Sequence, residues 1–531
     1  MGDRLAFRNL SALCLAISAL LVVALPTKVI AQTTAADFYN RGLTKQAKGD
    51  LDGAIADYNR AIEIDPKLAP AYCNRGSAKN DKGDLDGAIA DFSHAIELDP
   101  KLATAYYNRA IAKHDKGDLD GAIADYNHAI EIDPKDAHAY YNRGVNKYDK
   151  GDLDGAIADY SHALELDPKY TAAYHYRGLA KQAKGDVDGA ILDHTRALEI
   201  DPKYTFAYGG RGLAKAAKGD LDGAIADFNR VIELDPKLSL AYVARASAKR
   251  AKRDLDGAIA DYSSAIEIDP KMTLGYVYRG AARRAKGDLD GAIGDYDRAI
   301  EIDPKSAFAY DSRGYAKKAK DDLDGAIADY DRAIEIDPKS ASAYDHRGYA
   351  KKAKGDLVGA IADYDRAIEI DPKHAQAYDI RGRAYFEQRN WTEALADFHR
   401  CCDLNPKDQD YPRIAIWIIR TRINEKDAAT KELADYWGKR TNGAPDDWPS
   451  KVAGFLLDKI SEVDFLAAAA SKDAKTDSGQ HCEAYFYAGM KHLLAGDQTA
   501  ATEFFKKCLA TGVKDFTEYQ RAEAELKALA K

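Results

Sequence analysis

Residues 83–101 read GDLDGAIADFSHAIELDPK, and this stretch returns almost unaltered down most of the chain. Its next-to-last residue is a proline, and this proline recurs every 34 residues through eleven successive copies. The prolines are Pro66, Pro100, Pro134, Pro168, Pro202, Pro236, Pro270, Pro304, Pro338, Pro372 and Pro406. A constant period of about 20–50 residues is typical of a solenoid or a related array. We therefore predict one elongated array rather than several separate globular domains.

Each copy has the pattern of two helices, as residues 69–102 illustrate. Apolar and small residues recur at helical spacing until Gly83-Asp84, where Gly suits a left-handed helix end and Asp can cap the next helix. The second helix carries a broad apolar face and ends at Pro100, which disfavours helix in the residue before it. A hairpin this short cannot bury its own apolar face. We expect neighbouring hairpins to stack and bury it.

The positions of the recurring residues resemble the tetratricopeptide repeat (TPR) family. In the second copy the family pattern is carried by Tyr72, Gly76, Ala88, Phe92, Ala95 and Pro100. The resemblance implies an all-α fold, a right-handed α-solenoid of helical hairpins with a C-terminal helical extension. The eleven repeats are 35–68, 69–102, 103–136, 137–170, 171–204, 205–238, 239–272, 273–306, 307–340, 341–374 and 375–408.

Two charged positions are the same in all eleven repeats. The seventh is Arg and the twenty-third is Asp, as in Arg75 and Asp91 of the second repeat. The planar fork of Arg can bond a carboxylate through two hydrogen bonds, so we predict an Arg–Asp pair within each hairpin. Two independent solvated charges are the alternative. Eleven copies of one pair indicate a building feature rather than a catalytic one.

The net charge of the chain bears on its binding partners, and its first 31 residues bear on its location. The formal net charge of the 531-residue chain is −9, so there is no basic excess to favour nucleic acid as a partner. Residues 1–31 place Arg4 and Arg8 before an apolar run and end in small residues suited to cleavage before Gln32. We predict a signal peptide and a periplasmic or secreted protein. An uncleaved leader is the alternative, and it would be the one contact with a membrane.

In the TPR family the concave groove is lined by the first helix of each repeat, chiefly at its second, fifth, ninth, twelfth and thirteenth positions. Reading these positions in order predicts a groove that runs from acidic and aromatic to basic. The candidate protein-binding residues are Tyr107, Tyr141, Tyr148, Asp81, Asp115, Asp149, Arg250, Arg284, Lys318 and Lys352. Late acids would partly neutralise the basic row, and apolar residues line the middle. The acids are Asp311, Asp345 and Asp379, and the apolar residues are Phe206, Leu240, Leu274 and Phe308. Ordinary solvated faces are the alternative.

The regular period stops after Pro406, and residues 409–480 form a predicted helical extension. Within it, 472–480 is polar and predicted to be an exposed connector. Residues 482–515 fit a degenerate repeat, and 516–531 fit an amphipathic capping helix. The predicted helices of the extension are 411–424, 428–441, 451–460 and 461–471.

Cys482 opens the first helix of the degenerate repeat, and Cys508 lies near the end of its second helix. Antiparallel helices bring such ends together, so a Cys482–Cys508 disulfide is a hypothesis. Cys401 stands where the repeats usually have Ala, which indicates a buried small residue. No nucleophile–base pair, phosphate loop or metal-ligand cluster is visible, so we expect neither an enzyme nor a cofactor or metal.

The chain also resembles NlpI-type bacterial envelope proteins, with residues 409–531 similar to their C-terminal part. This resemblance implies an adaptor for other proteins, including peptidoglycan-remodelling ones. The longer array and the lack of a lipid-attachment Cys are departures from it. We therefore expect an exported scaffold that binds proteins or peptides. A groove for small or polymeric cell-wall ligands is the alternative, and an enzyme within 409–531 is a third hypothesis. The oligomeric state stays open.

Overall fold

The computed structural model describes residues 34–406, 409–440, 447–471, 473–514 and 516–530. These residues form 29 helices and no strand, which confirms the all-α prediction. The predicted signal peptide lies outside the described residues. Within the described ranges, no helix combines the length and apolar character that crossing a membrane requires.

The helices fall into two compact units. The N-terminal unit, residues 34–270, holds α1–α14. These are α1 Ala35–Ala47, α2 Leu51–Ile64, α3 Ala69–Asp81, α4 Leu85–Leu98, α5 Ala103–Asp115, α6 Leu119–Ile132, α7 Ala137–Asp149, α8 Leu153–Leu166, α9 Thr171–Ala183, α10 Val187–Ile200, α11 Thr205–Lys218, α12 Leu221–Leu234, α13 Ser239–Ala251 and α14 Leu255–Ile268.

The C-terminal unit, residues 271–530, holds four further repeats and the extension. Its repeat helices are α15 Thr273–Lys286, α16 Leu289–Ile302, α17 Ala307–Ala319, α18 Leu323–Ile336, α19 Ala341–Ala353, α20 Leu357–Ile370, α21 Ala375–Glu387 and α22 Trp391–Leu404. The remaining helices are α23 Asp410–Arg422, α24 Lys426–Lys439, α25 Trp448–Leu456, α26 Glu462–Ala468, α27 Ala474–Leu494, α28 Gln498–Ala510 and α29 Thr517–Leu529.

The second repeat shows why each hairpin turns where it does. Gly83 has φ of +85°, a left-handed conformation that glycine adopts without strain. The Asp84 carboxylate then accepts a 3.0 Å hydrogen bond from the Gly87 amide and caps α4. A Cβ at Gly76 would lie 2.8 Å from the Phe92 ring, so the two helices approach closely. Phe92 is in turn buried with alanines of the next hairpin, as the stacking prediction requires.

The Arg–Asp prediction is confirmed in all eleven repeats. Arg75 Nε and Nη2 donate to the two carboxylate oxygens of Asp91 at 2.8 and 2.6 Å, and Asp91 is 5% exposed. The other ten pairs are Arg41–Asp57, Arg109–Asp125, Arg143–Asp159, Arg177–Asp193, Arg211–Asp227, Arg245–Asp261, Arg279–Asp295, Arg313–Asp329, Arg347–Asp363 and Arg381–Asp397.

A second cation that bonds the same carboxylate was not predicted. The residue at the eleventh position joins the same carboxylate, as Lys79 Nζ does at 2.8 Å from Asp91. It is Lys in nine repeats and Arg283 in the eighth. In the first repeat the Arg41 hydrogen bond lowers the pKa of Asp57 to about 2. In the eleventh, where Tyr385 replaces the cation, burial raises the pKa of Asp397 above its usual value.

The predicted exposed connector at 472–480 is wrong over most of its length. Residues 474–480 are the first turns of α27, a 21-residue helix that continues into the degenerate repeat. Asp473 caps this helix, accepting from the Thr476 amide at 2.8 Å. Gly479 is buried so close to Phe516 that a Cβ would lie 2.5 Å from the ring. This contact with a residue 37 positions later orders a segment whose composition resembles a loop.

Candidate functional site

The candidate site is the surface formed by the first helices of successive repeats, which we call the first-helix face. In the N-terminal unit, hydrogen bonds between neighbouring repeats cross this face. Asn74 Nδ2 donates to the Tyr39 hydroxyl at 2.8 Å, and Asn142 Nδ2 donates to the Tyr107 hydroxyl at 2.7 Å. The fifth-position tyrosine of one repeat is thus tied to the sixth-position asparagine of the next. Tyr107 is half-buried and serves the repeat interface as well as the face.

Tyr141, another predicted contact, belongs mainly to the core. It is 8% exposed, and its ring centre lies 4.8 Å from that of Tyr170 and 5.7 Å from that of Tyr176. Tyr148 is half-buried against the same cluster. A partner on this face would therefore reach Tyr148 but little of Tyr141.

The three predicted acids of repeats two to four lie at the ends of α3, α5 and α7. Asp115 and Asp149 are exposed and Asp81 is half-buried. Directly before Asp115 in the sequence, the ring of His114 contacts the Asn146 side-chain oxygen at 3.0 Å across the repeat boundary. The exposed acids of this end of the face are therefore Asp115 and Asp149, and their role in binding a partner stays a prediction.

Sequence reasoning missed a pair of buried histidines. His194 is fully buried at the position that is Tyr or Phe in the other repeats, and its ring centre lies 5.1 Å from that of His175. Neither ring nitrogen of His194 has a hydrogen-bond partner among the described residues. Burial lowers the pKa of His175 to about 3 and that of His194 to about 4. The exchange of an aromatic residue for His was the visible signal.

Apolar side chains at the second position of the repeats are exposed, as expected of a surface that meets a partner. In the N-terminal unit Phe206 and Leu240 are 48% and 58% exposed. In the C-terminal unit Leu274 and Phe308 are 50% and 55% exposed. Arg250, in the N-terminal unit, is exposed near the end of α13.

Two predicted cations of the C-terminal unit are held over tyrosine rings. The Arg284 guanidinium lies 4.2 Å from the centre of the Tyr315 ring. Lys318 Nζ lies 4.8 Å from the centre of the same ring and 4.0 Å from that of Tyr349. Such cation–π contacts hold long side chains in place. Within the described residues, neither cation has a carboxylate at ion-pair distance.

The late acids have other environments. Asp311 pairs with His346 at 2.8 Å, and Asp379 pairs with Arg383 at 2.8 Å. Asp345 is 5% exposed, and burial raises the pKa of its carboxyl. Burial also lowers the pKa of Lys318, with Arg284 acting in the same direction and Asp345 against it. The predicted neutralisation therefore reaches Lys318 only as a longer-range effect.

The fourth predicted cation, Lys352, is engaged by its own chain. Its Nζ lies 2.8 Å from Glu387 and donates to the Gln520 side chain of α29 at 3.2 Å. Helix α29 makes further contacts with α21, since Arg383 donates to Thr517 at 3.0 Å and the Arg521 guanidinium lies 4.4 Å above the Phe386 ring. The predicted capping helix therefore also covers the first-helix face of repeats ten and eleven. Lys352 is a poor candidate for binding a partner.

The two cysteines of the degenerate repeat are adjacent. Cys482 and Cys508 are fully buried, and their sulfur atoms are 3.2 Å apart on the antiparallel helices α27 and α28. The structure describes them as thiols, and the disulfide itself stays a prediction. Their mutual hydrogen bond raises the pKa of Cys508 and lowers that of Cys482. Cys401 is buried, as predicted. Across the described ranges, no group of three His, Cys, Asp or Glu side chains could hold a metal ion.

Protein-family models match most of the repeat array. A model described as TPR repeat matches residues 42–79, 76–117, 112–145, 146–185, 280–321 and 314–355. Models described as tetratricopeptide repeat match residues 207–238, 240–272, 341–374 and 375–408.

Several solved structures are similar to the chain. Yeast Tom70 is 18% identical over 76% of this chain and 99% of its own, with a TM-score of 0.41. MamA is 31% identical over 32% of this chain and 93% of its own, with a TM-score of 0.30. YrrB, described as a TPR protein with an unusual peptide-binding site, is 24% identical over 35% of this chain and 95% of its own, with a TM-score of 0.31.

Proposed function

Since this chain belongs to the tetratricopeptide repeat family, we propose that it is an exported, non-enzymatic scaffold that holds other proteins together in the bacterial cell envelope. Repeats of this family bind proteins or peptides, and the chain is a protein-interaction scaffold in this general sense. The more specific parts of the proposal are the location, the absence of catalysis and the kind of client.

The observation that carries the proposal is the surface chemistry of α15 and α17 in the C-terminal unit. Exposed Leu274 and Phe308 lie on the same face as the ring-supported cations Arg284 and Lys318. Exposed apolar side chains combined with fixed polar groups are typical of peptide-binding surfaces. By contrast, the charged groups of the eleven Arg–Asp pairs bond each other within the hairpins and are therefore not available to bind a substrate.

Two features of the sequence support the envelope location and the clients. Residues 1–31 have the charge, apolar run and cleavage pattern of an export signal. Residues 409–531 are similar to the C-terminal part of NlpI-type envelope adaptors, which favours peptidoglycan-remodelling proteins as clients. A fusion of 1–31 to alkaline phosphatase, which folds actively only after export, tests the location. An inactive fusion would contradict it.

A pull-down from a bacterial envelope extract tests the scaffold role. The bait is the chain from Gln32 onward, and the comparison is a charge-reversed variant, Arg284→Glu with Lys318→Glu. A matched control carries Lys305→Glu and Lys339→Glu, two exposed lysines in the turns after α16 and α18. The proposal expects a protein client that the first variant loses and the control keeps. Retention of glycan fragments alone would instead favour the cell-wall ligand alternative.

A further inference from the structure

We propose that Arg284, Lys318, Tyr315 and Tyr349 form a site for the carboxylates of an acidic, amphipathic segment of a partner protein. This inference rests on the proposed scaffold function and names the chemistry of its client. The site lies on the first-helix face of repeats eight to ten, entirely within the C-terminal unit.

The geometry keeps the two positive charges ready for an anion. Both lie within 5 Å of the centre of the Tyr315 ring, at 4.2 Å for Arg284 and 4.8 Å for Lys318. The second ring, Tyr349, holds the Lys318 ammonium from another side at 4.0 Å. Tyr315 itself is positioned by an edge contact with His346, which Asp311 holds in turn. A ligand would therefore find the cations already ordered and would lose less side-chain entropy on binding.

The charges around the site leave the two cations unsatisfied. Of the neighbouring acids, Asp311 is paired with His346, and Asp345 is buried with one carboxylate oxygen lacking a hydrogen-bond partner among the described residues. At the eleventh position of the first helices the cation meets a carboxylate directly, as Lys317 meets Asp329 at 2.8 Å. An external carboxylate is the group that would complete Arg284 and Lys318 in the same way.

The apolar surroundings add a second requirement. Leu274 and Phe308 stand ten residues before Arg284 and Lys318, on α15 and α17 respectively, and about half of each side chain is exposed. Covering such side chains removes apolar area from water, which favours binding. A segment that carries apolar residues beside Asp or Glu would therefore fit better than a purely acidic one.

The adjoining repeats show that this face already accepts a helix of that kind. Helix α29 places Gln520 on Lys352 and Glu525 on Arg389, the latter at 2.8 Å. Lys352 occupies the same position in repeat ten that Lys318 occupies in repeat nine. Glu387 of α21 and Gln520 of α29 together satisfy the cation of repeat ten, and α29 covers it, whereas the cations of repeats eight and nine continue the same surface without such a cover. We infer that a partner segment lies there in continuation of α29.

Selection from a random 12-residue peptide display library on the purified chain from Gln32 tests this inference. We expect enriched peptides to combine Asp or Glu with apolar residues. A synthetic enriched peptide should bind about tenfold more weakly to Arg284→Glu/Lys318→Glu, and about tenfold more weakly when its acids are replaced by the corresponding amides. Raising NaCl from 0.05 to 0.5 M should weaken binding, because dissolved ions screen the attraction between the half-buried cations and the carboxylates of the peptide. The Lys305→Glu/Lys339→Glu control should bind like the unmodified chain.

The outcomes separate the inference from the function on which it rests. Enriched peptides without acids, or acidic peptides indifferent to the Arg284→Glu/Lys318→Glu change, would overturn the inference and leave the scaffold role intact. No enriched peptide at all, together with no client in the pull-down, would overturn both. Tyr315→Leu/Tyr349→Leu provides a second variant with unchanged charge, which should weaken acidic peptides by loosening the cations. Circular dichroism of each variant verifies that the repeats remain folded.

Discussion

Acid should weaken the N-terminal unit around His194, and replacing this residue by Phe should remove much of the effect. His194 is fully buried, and burial lowers its pKa from the ordinary 6.5 to about 4. Because the folded pKa is depressed, the unfolded chain takes up the proton first as the pH falls below 6.5. The stability is therefore complete above about pH 6.5 and is lost progressively toward pH 4. Buried His175, with a pKa of about 3, contributes a loss of the same sign.

The size of the effect follows from the width of this window. Each pH unit between the two pKa values changes the free energy of unfolding by about 1.4 kcal/mol for one group. From pH 7 to pH 5, His194 should therefore cost about 2 kcal/mol, which corresponds to about a thirtyfold change in an opening equilibrium. Phe fits the position, since Phe92 and Phe228 occupy it in other repeats. The variant also removes two ring nitrogens that lack hydrogen-bond partners in the described structure, so it should be more stable at pH 7 as well.

Hydrogen exchange read by mass spectrometry over 171–204 measures this locally. Opening free energies of the unmodified chain and His194→Phe are compared at the same pH, because intrinsic exchange rates then cancel. We expect the difference to grow by about 2 kcal/mol between pH 7 and pH 5. His162→Gln, which removes an exposed imidazole on α8, is the control. A difference that does not change with pH, or an NMR titration placing His194 near pH 6.5, would refute the reasoning.

Three further changes test other parts of the structure. Asp91→Asn should lower the free energy of unfolding, measured by urea melts, by about 2–4 kcal/mol, because Arg75 and Lys79 lose their shared buried carboxylate. The control Asp86→Asn changes an exposed carboxylate, and its free energy of unfolding should stay within about 0.5 kcal/mol of that of the unmodified chain. Mass spectrometry of the exported protein should show the Cys482–Cys508 pair two hydrogen atoms lighter and resistant to alkylation, and two alkylated thiols in the unfolded chain would contradict the disulfide. Gly294→Ala should raise the melting temperature by stabilising α16 by about 0.5–1 kcal/mol, since a Cβ there meets no atom within 4 Å; an unchanged or lower value would count against this.

The positions of the cations on the first-helix face were predictable from the repeat pattern. Within a strict period, any position on the first-helix face can be read by counting, so Arg284 and Lys318 could be placed on that face before the structure was known. Counting could not show what each cation contacts. Lys318 contacts the ring of Tyr315 from its own repeat and the ring of Tyr349 from the next repeat. The second contact depends on how successive hairpins stack.

Lys352 marks where prediction from the repeat pattern ends. It has the same position and nearly the same neighbours in sequence as Lys318, yet it contacts Gln520, which lies 168 residues later. No local pattern carries information about a partner at that separation. The same limit explains the wrong connector at 472–480, whose helical state depends on the packing of Gly479 against Phe516.

The sequence by itself determined the all-α architecture, the hairpin boundaries and the Arg–Asp pair of each repeat. These features depend on short-range rules, namely helical periodicity, capping and a constant separation of 16 residues between partners. Only the tertiary structure decided which residues of the first-helix face remain open. Burial closed Tyr141, the stacking of two hairpins enclosed His194, and the return of α29 covered Lys352. Accessibility depends on what packs against a residue from elsewhere in the chain, and a repeat pattern describes only its nearest neighbours.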